Sequence, residues 1–222
     1  MIKIAPSMLS CDFARFGEET ARMEREGADL IHMDVMDAHF VPNLTFGAPI
    51  IKAMRKYAQI PFDVHLMISD PLKYAEDFAK AGADIITFHV ESDSPVRETI
   101  DKIKSLGVKA ALSVKPRTPV EEVFPYLDLL DMVLIMTVEP GFGGQSFMAD
   151  MMPKVKKLRE EIVRRGLDID IQVDGGISDK TIATAAQNGA NVFVAGSAVF
   201  AAPDSQVMIA SLKASAAEAY CF

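Results

Sequence analysis

The feature that most restricts what this chain can become is an alternation. Eight short apolar runs recur along it, at residues 2–5, 30–35, 62–67, 85–90, 108–114, 132–136, 169–173 and 192–195. Helix-sized segments separate them. The runs are nearly continuous in apolar character, as strands buried on both faces of a parallel sheet must be. Two of the intervening segments carry a helical stripe. Val96, Ile100 and Ile103 recur at i, i+4 and i+7, and Met152, Val155, Leu158 and Ile162 trace a second stripe. Strand–helix repetition throughout places the chain in the α/β class with a parallel sheet. Eight units predict a closed (β/α)8 TIM barrel, with a doubly wound open sheet as the alternative.

A weak internal repeat agrees. Gly27-Ala28-Asp29, Gly82-Ala83-Asp84 and Gly189-Ala190-Asn191 each stand between a helical segment and a strand. Glycine suits the left-handed residue that ends a helix, and the polar residue suits the turn. In a barrel these turns lie on the bottom face and serve stability. No linker or low-complexity stretch interrupts residues 1–222, so one domain is expected.

Composition excludes several function classes. A net charge of −8 leaves no basic face for nucleic acid. An anionic substrate would have to be held by local groups, because the overall field does not attract it. Cys11 and Cys221 are too far apart in sequence for a disulfide framework or zinc knuckle. The N-terminus lacks a signal peptide's basic start, and no run approaches the about 18 apolar residues of a membrane span. A cytoplasmic protein is expected.

In a barrel, chemistry gathers at the C-terminal strand ends and the loops that follow. The unusual residues fall there. His32 and Asp34 are two apart and share one strand face. His65 ends the next strand, and Asp174 ends the seventh. Two imidazoles and two carboxylates suit one divalent transition ion. His89 and His39 are read as structural.

A second group suits an anion. Pro140-Gly141-Phe142-Gly143-Gly144-Gln145, Asp174-Gly175-Gly176-Ile177 and Ala195-Gly196-Ser197-Ala198 follow the sixth, seventh and eighth strands. Glycines let backbone N–H groups approach a phosphate, and the last motif opens a helix whose N-terminus would add to the attraction. None of the three motifs holds a Lys or Arg. A third group, Met36, Met67 and Met136, is either core filler or an apolar cap over a reacting carbon.

Together with Ala5-Pro6-Ser7-Met8-Leu9-Ser10 and Phe40-Val41-Pro42-Asn43, these segments resemble the ribulose-phosphate 3-epimerase family, in order and over nearly the whole chain. The resemblance implies a barrel of the ribulose-phosphate binding type. It implies interconversion of D-ribulose 5-phosphate and D-xylulose 5-phosphate by inversion at C3, in the pentose phosphate pathway. Asp34 and Asp174 would be the acid and base. One divalent ion (Zn²⁺, Fe²⁺, Mn²⁺ or Co²⁺) would sit on His32, Asp34, His65 and Asp174. Substrate contacts would fall to Ser7, His65, Gly141, Phe142, Gly143, Gly144, Gly175, Gly176, Gly196 and Ser197, and the cap to the three methionines. The family's assemblies imply a homo-oligomer.

The chain departs from the family at three places. Ala38 stands where Gly is usual, which predicts a turn without positive φ. Lys115-Pro116 replaces Asn-Pro, putting a positive charge near the mouth or merely on the surface. Cys11 replaces Ala. The first two leave open a related 3-epimerase for a hexulose phosphate such as D-allulose 6-phosphate, and an inactive phosphosugar-binding barrel is a further alternative. Decarboxylases and phosphohexulose synthases on this barrel typically carry Asp-x-Lys at the end of the third strand. Asp63-Val64-His65 argues against them.

Overall fold

The computed structural model describes residues 1–222. Its strands are β1 (Lys3–Pro6), β2 (Ile31–Met36), β3 (Phe62–Met67), β4 (Ile85–His89), β5 (Lys109–Val114), β6 (Met132–Met136), β7 (Asp170–Asp174) and β8 (Val192–Ala195). All neighbours pair in parallel, in the order β1-β8-β7-β6-β5-β4-β3-β2, and a parallel bridge from Ser7 to His32 brings β1 back to β2. The result is a nearly closed eight-stranded barrel, as the alternation predicts.

The helices are α1 (Phe16–Arg25), α2 (Ala48–Met54), α3 (Pro71–Ala81), α4 (Val96–Ser105), α5 (Met152–Arg165), α6 (Ile182–Gln187), α7 (Ser197–Phe200) and α8 (Ser205–Ala219). The stripes meet expectation: Ile100 and Ile103 of α4, and Met152, Val155, Leu158 and Ile162 of α5, are buried. The crossover after β5 differs. It is a 3₁₀ run, Val120–Leu129, with Pro125 inside it. Proline has no N–H to give an α-helical ladder, so the segment packs its apolar residues in tighter turns. No helix of the protein is long and apolar enough to cross a membrane.

Strand alternation divides the burial into two regions. Outward residues such as Met33, Val64, Leu66, Phe88, Leu112, Ile135, Val173 and Phe193 form the core beneath the helices. Inward residues near the strand starts, among them Ala5, Leu30, Ile85, Ala111, Met132 and Val192, plug the barrel with a smaller apolar cluster. Above that plug the interior turns polar.

The repeated turns have a second role beyond ending helices. Gly27, Gly82 and Gly189 take φ of 94°, 103° and 103°, which residues with a Cβ rarely adopt. The polar residue two places on then reaches sideways. Asp29 accepts the N–H of Ile4 at 2.7 Å, Asp84 that of Phe62 at 2.8 Å, and Asn191 that of Ile171 at 2.8 Å. Asp131 does the same for Ala110 at 3.0 Å, although no glycine precedes it. Each even strand therefore begins with a side chain that fixes the start of the odd strand before it.

Candidate active site

Register brings the sequence-predicted residues together. The β2–β3 pairing sets His32 beside Asp63, Asp34 beside His65 and Met36 beside Met67. The β6–β7 pairing sets Met136 beside Asp174. Strand alternation turns these side chains toward the barrel interior.

Four ligand-type atoms converge there. His32 Nε2 lies 3.3 Å from Asp34 Oδ1 and 3.8 Å from Asp174 Oδ2. His65 Nδ1 lies 3.4 and 3.8 Å from the same two oxygens. Atoms that bind one ion at about 2.0–2.2 Å stand roughly 3–4 Å apart. Both ring nitrogens are buried and lack a hydrogen-bond partner. Leaving such a group unpaired costs roughly 1–3 kcal/mol. Two orphaned nitrogens aimed at the same point as two carboxylates fit a divalent cation, so the group can hold a metal ion.

The opposite ring nitrogens are anchored. His32 Nδ1 is 2.7 Å from Asp63 Oδ2, and the Asp63 carboxylate also accepts from Gln172 Nε2 at 2.6 Å and Thr87 Oγ1 at 3.0 Å. His65 Nε2 is 2.9 Å from His89 Nε2, and His89 Nδ1 is 3.2 Å from Glu91 Oε2. Sequence reasoning gave His89 only a structural role and assigned none to Asp63, Thr87, Gln172 or Glu91. A signal existed for Asp63: a carboxylate inside an apolar strand, two residues from His65, must share its face.

Electrostatics set the two carboxylates apart. Burial raises the Asp174 carboxyl, and the charge of Asp34 raises it further. Burial also pushes Asp34 upward, but His32 and His65 outweigh it and hold Asp34 below the usual carboxylate range. For His32, burial opposes protonation, yet Asp34 and Asp63 overcome it and raise its pKa well above normal. An incoming cation must therefore displace a proton. Burial lowers His89 to about 4.

Above this floor opens a small cleft. Its walls include Ser7, Asp34, Asp174, Met36, Met67, Met136, Gly141, Phe142, Gly143, Gly144, Gly175, Gly176, Gly196 and Ser197, with no Lys or Arg among its lining residues. His32 and His65 lie beneath it, fully buried. Ser7 Oγ donates to Asp34 Oδ2 at 2.6 Å, leaving Oδ1 toward the histidines. The N–H groups of Gly143, Gly144, Gly176 and Gly196 donate to no protein acceptor. The helix after Gly196 has only four residues, Ser197–Phe200, so its dipole is slight and the free amides matter more. Gly176 has a packing reason as well: its φ is 67°, and a Cβ would lie 2.3 Å from the Phe147 nitrogen. His39 is exposed, with Nδ1 on the Asp37 carbonyl, and stays outside the site.

The expectation for Ala38 changes, and of the two readings of Lys115 the surface one fails. Ala38 does adopt positive φ, at 60°. Asp37 Oδ1 accepts the N–H groups of His39 and Phe40, and Ala38 N–H bonds Asn43 O, so the turn imposes the left-handed conformation despite the Cβ. Lys115 is not a free surface lysine. Its ammonium sits 3.6 Å from the Phe40 ring centroid, and that ring lies 4.9 Å from the His89 ring.

Known proteins agree with this architecture. The rice (Oryza sativa subsp. japonica) ribulose-phosphate 3-epimerase, cytoplasmic isoform, is 51% identical over 217 residues, covering 96% of this chain and 93% of the relative. The Bacillus subtilis ribulose-phosphate 3-epimerase is 47% identical, covering 97% of this chain and all of the relative. Among solved structures, 3-hexulose-6-phosphate synthase from Salmonella typhimurium superposes with a TM-score of 0.71 at 20% identity, covering 99% of this chain and 100% of that one. At that identity the likeness carries the barrel alone. Residues 3–200 match the ribulose-phosphate 3 epimerase family, and with the rice and Bacillus relatives this establishes that the chain belongs to it.

Proposed function

We propose that this protein interconverts D-ribulose 5-phosphate and D-xylulose 5-phosphate by inverting C3. One observation carries the reading: two carboxylates and two orphaned ring nitrogens meet at the floor of a glycine-walled cavity in a member of this family. Inversion requires taking a proton from a carbon next to a carbonyl and returning one to the opposite face. Asp34 and Asp174 come from strands three places apart around the barrel and meet over one point. One takes the proton while the other donates, and the roles exchange in the reverse direction. Their opposite electrostatic bias suits a division of labour between acid and base.

His32, Asp34, His65 and Asp174 would hold a divalent ion. When bound, a divalent cation supplies charge stabilisation for the 2,3-enediolate oxygens. Ser7 holds the Asp34 carboxylate in orientation. Met36, Met67 and Met136 line the cavity with apolar, polarisable surface and limit water near the reacting carbon. The free amides of Gly143, Gly144, Gly176 and Gly196 receive the phosphate without any cationic side chain. Residues 1–222 act as one domain, in a cytoplasmic homo-oligomer; the cytoplasmic assignment draws on the name of the rice relative.

The decisive measurement is kcat/KM for the pentulose phosphate against D-allulose 6-phosphate, with C3 deuterium wash-in followed in D₂O. A preference for the hexulose phosphate, or binding without exchange, overturns the proposal. Ser197→Asp tests the phosphate contact. An anion at that position should raise KM by about tenfold or more, since close like charges cost several kcal/mol at an interface. An unchanged KM moves the phosphate elsewhere.

A further inference from the structure

We propose that Glu91 and His89 are positioning residues, which force His65 to present Nδ1 to the cation as a free lone pair. The inference deepens the metal-site reading and rests on it.

With a cation between His65 and the two carboxylates, the hydrogen bonds permit one consistent proton arrangement. His65 Nδ1 faces Asp34 and Asp174, and His65 Nε2 faces His89 Nε2 at 2.9 Å. Two imidazole nitrogens this close share one proton. A lone pair at His65 Nδ1 places that neutral ring's proton on Nε2, where it donates to His89. His89 must then carry its own proton on Nδ1, which donates to Glu91 Oε2 at 3.2 Å. In the reverse arrangement His89 donates to His65. The proton of His65 would then block the cation, and a His89 lone pair would face a carboxylate. The Glu91 charge disfavours that state.

Glu91 is itself fixed. Its Oε1 accepts the Lys115 N–H at 2.8 Å. The loop carrying Lys115 is held from α5, because the Lys154 ammonium donates to the carbonyls of Lys115, Pro116 and Thr118. A continuous chain of directed bonds runs from helix α5 to His65. The other histidine differs: His32 meets its carboxylate, Asp63, directly. Partners behind a metal-bound histidine fix its tautomer and orientation.

The test uses metal-free full-length protein titrated with Co²⁺ against a competing chelator, alongside ¹⁵N imidazole spectra and thermal melts. In the Zn²⁺-loaded wild type, His65 should show the Nε2–H tautomer. His89→Leu should lower Co²⁺ affinity by about 10–100-fold and populate the Nδ1–H tautomer of His65. His89→Gln supplies an amide oxygen to accept from His65 Nε2 and should recover most of the affinity. A folded His89→Leu protein with unchanged affinity and tautomer overturns the proposal. If His89→Leu does not fold, Glu91→Leu decides: it leaves the His89 Nδ1 proton without its acceptor, so unchanged affinity and a single His65 tautomer overturn the proposal. Failure of the wild type to bind Co²⁺ would instead overturn the metal site itself.

Discussion

At the bottom of the barrel, Asp29, Asp84, Asp131 and Asn191 each make the same bond to the start of a neighbouring strand. At the top the loops divide among different tasks. The loop after β2 makes a tight Asp37 turn, the loop after β5 is pinned by Lys154, and the loops after β6, β7 and β8 offer free glycine amides. The bottom satisfies its backbone locally and repetitively. The top leaves groups unsatisfied and aims them at one place. That contrast separates what holds the fold from what is available for chemistry: stability resides in closed hydrogen bonds, and binding needs open ones.

Substitutions at the two ends should therefore fail in different ways. Asp174→Asn should lower kcat by about 10³-fold or more, near 4 kcal/mol, because a proton-transfer group and a ligand go together. The fold should survive, as circular dichroism would show. Its effect on metal-free stability follows from the raised carboxyl. The unfolded chain ionises this group more readily, so its contribution to wild-type stability falls as pH rises from about 4 through the folded value. Asp174→Asn should flatten that decline in urea melts. Near-wild-type turnover with metal present would break the contrast.

Asn191→Ala probes the bottom. Its side chain also accepts from Arg159 and donates to Asp170, so the loss strands buried groups. Stability should drop by about 2–3 kcal/mol, with kcat unchanged in the folded fraction. Between the ends lies Asp63. Asp63→Asn should weaken metal binding by about 10–100-fold, or roughly 1.4–2.7 kcal/mol, while the protein remains folded. Chelator competition measures it, and an unchanged affinity would assign Asp63 to structure alone. The smallest effect sharpens the comparison from the other side. Ala38→Gly relieves a left-handed alanine at the top and should stabilise by about 1 kcal/mol, read from denaturant midpoints.

The sequence exposes the bottom far better than the top. The glycine repeat is visible because it acts within a few residues, and three of its four copies can be found by eye. The copy at Asp131 is hidden because a 3₁₀ crossover, not a glycine-ended helix, precedes it. At the top, His32 and Asp34 are placed on one face by period two alone. Their joining with Asp174 came from resemblance, since nothing local links residues 34 and 174.

By itself, then, the sequence determined the eightfold alternation, the parallel class and the parity that turns His32, Asp34 and His65 to one face. These follow from periods of two and 3.6 residues, which are local properties of the backbone. Tertiary structure alone decided which nitrogen of each histidine is free, that His89 and Glu91 stand behind His65, that Lys115 covers Phe40, and that Ala38 bears positive φ. The physical reason is common to these cases. A hydrogen bond between distant strands depends on register, and a turn's conformation depends on what its ends are tied to. Neither is written in any short stretch of chain.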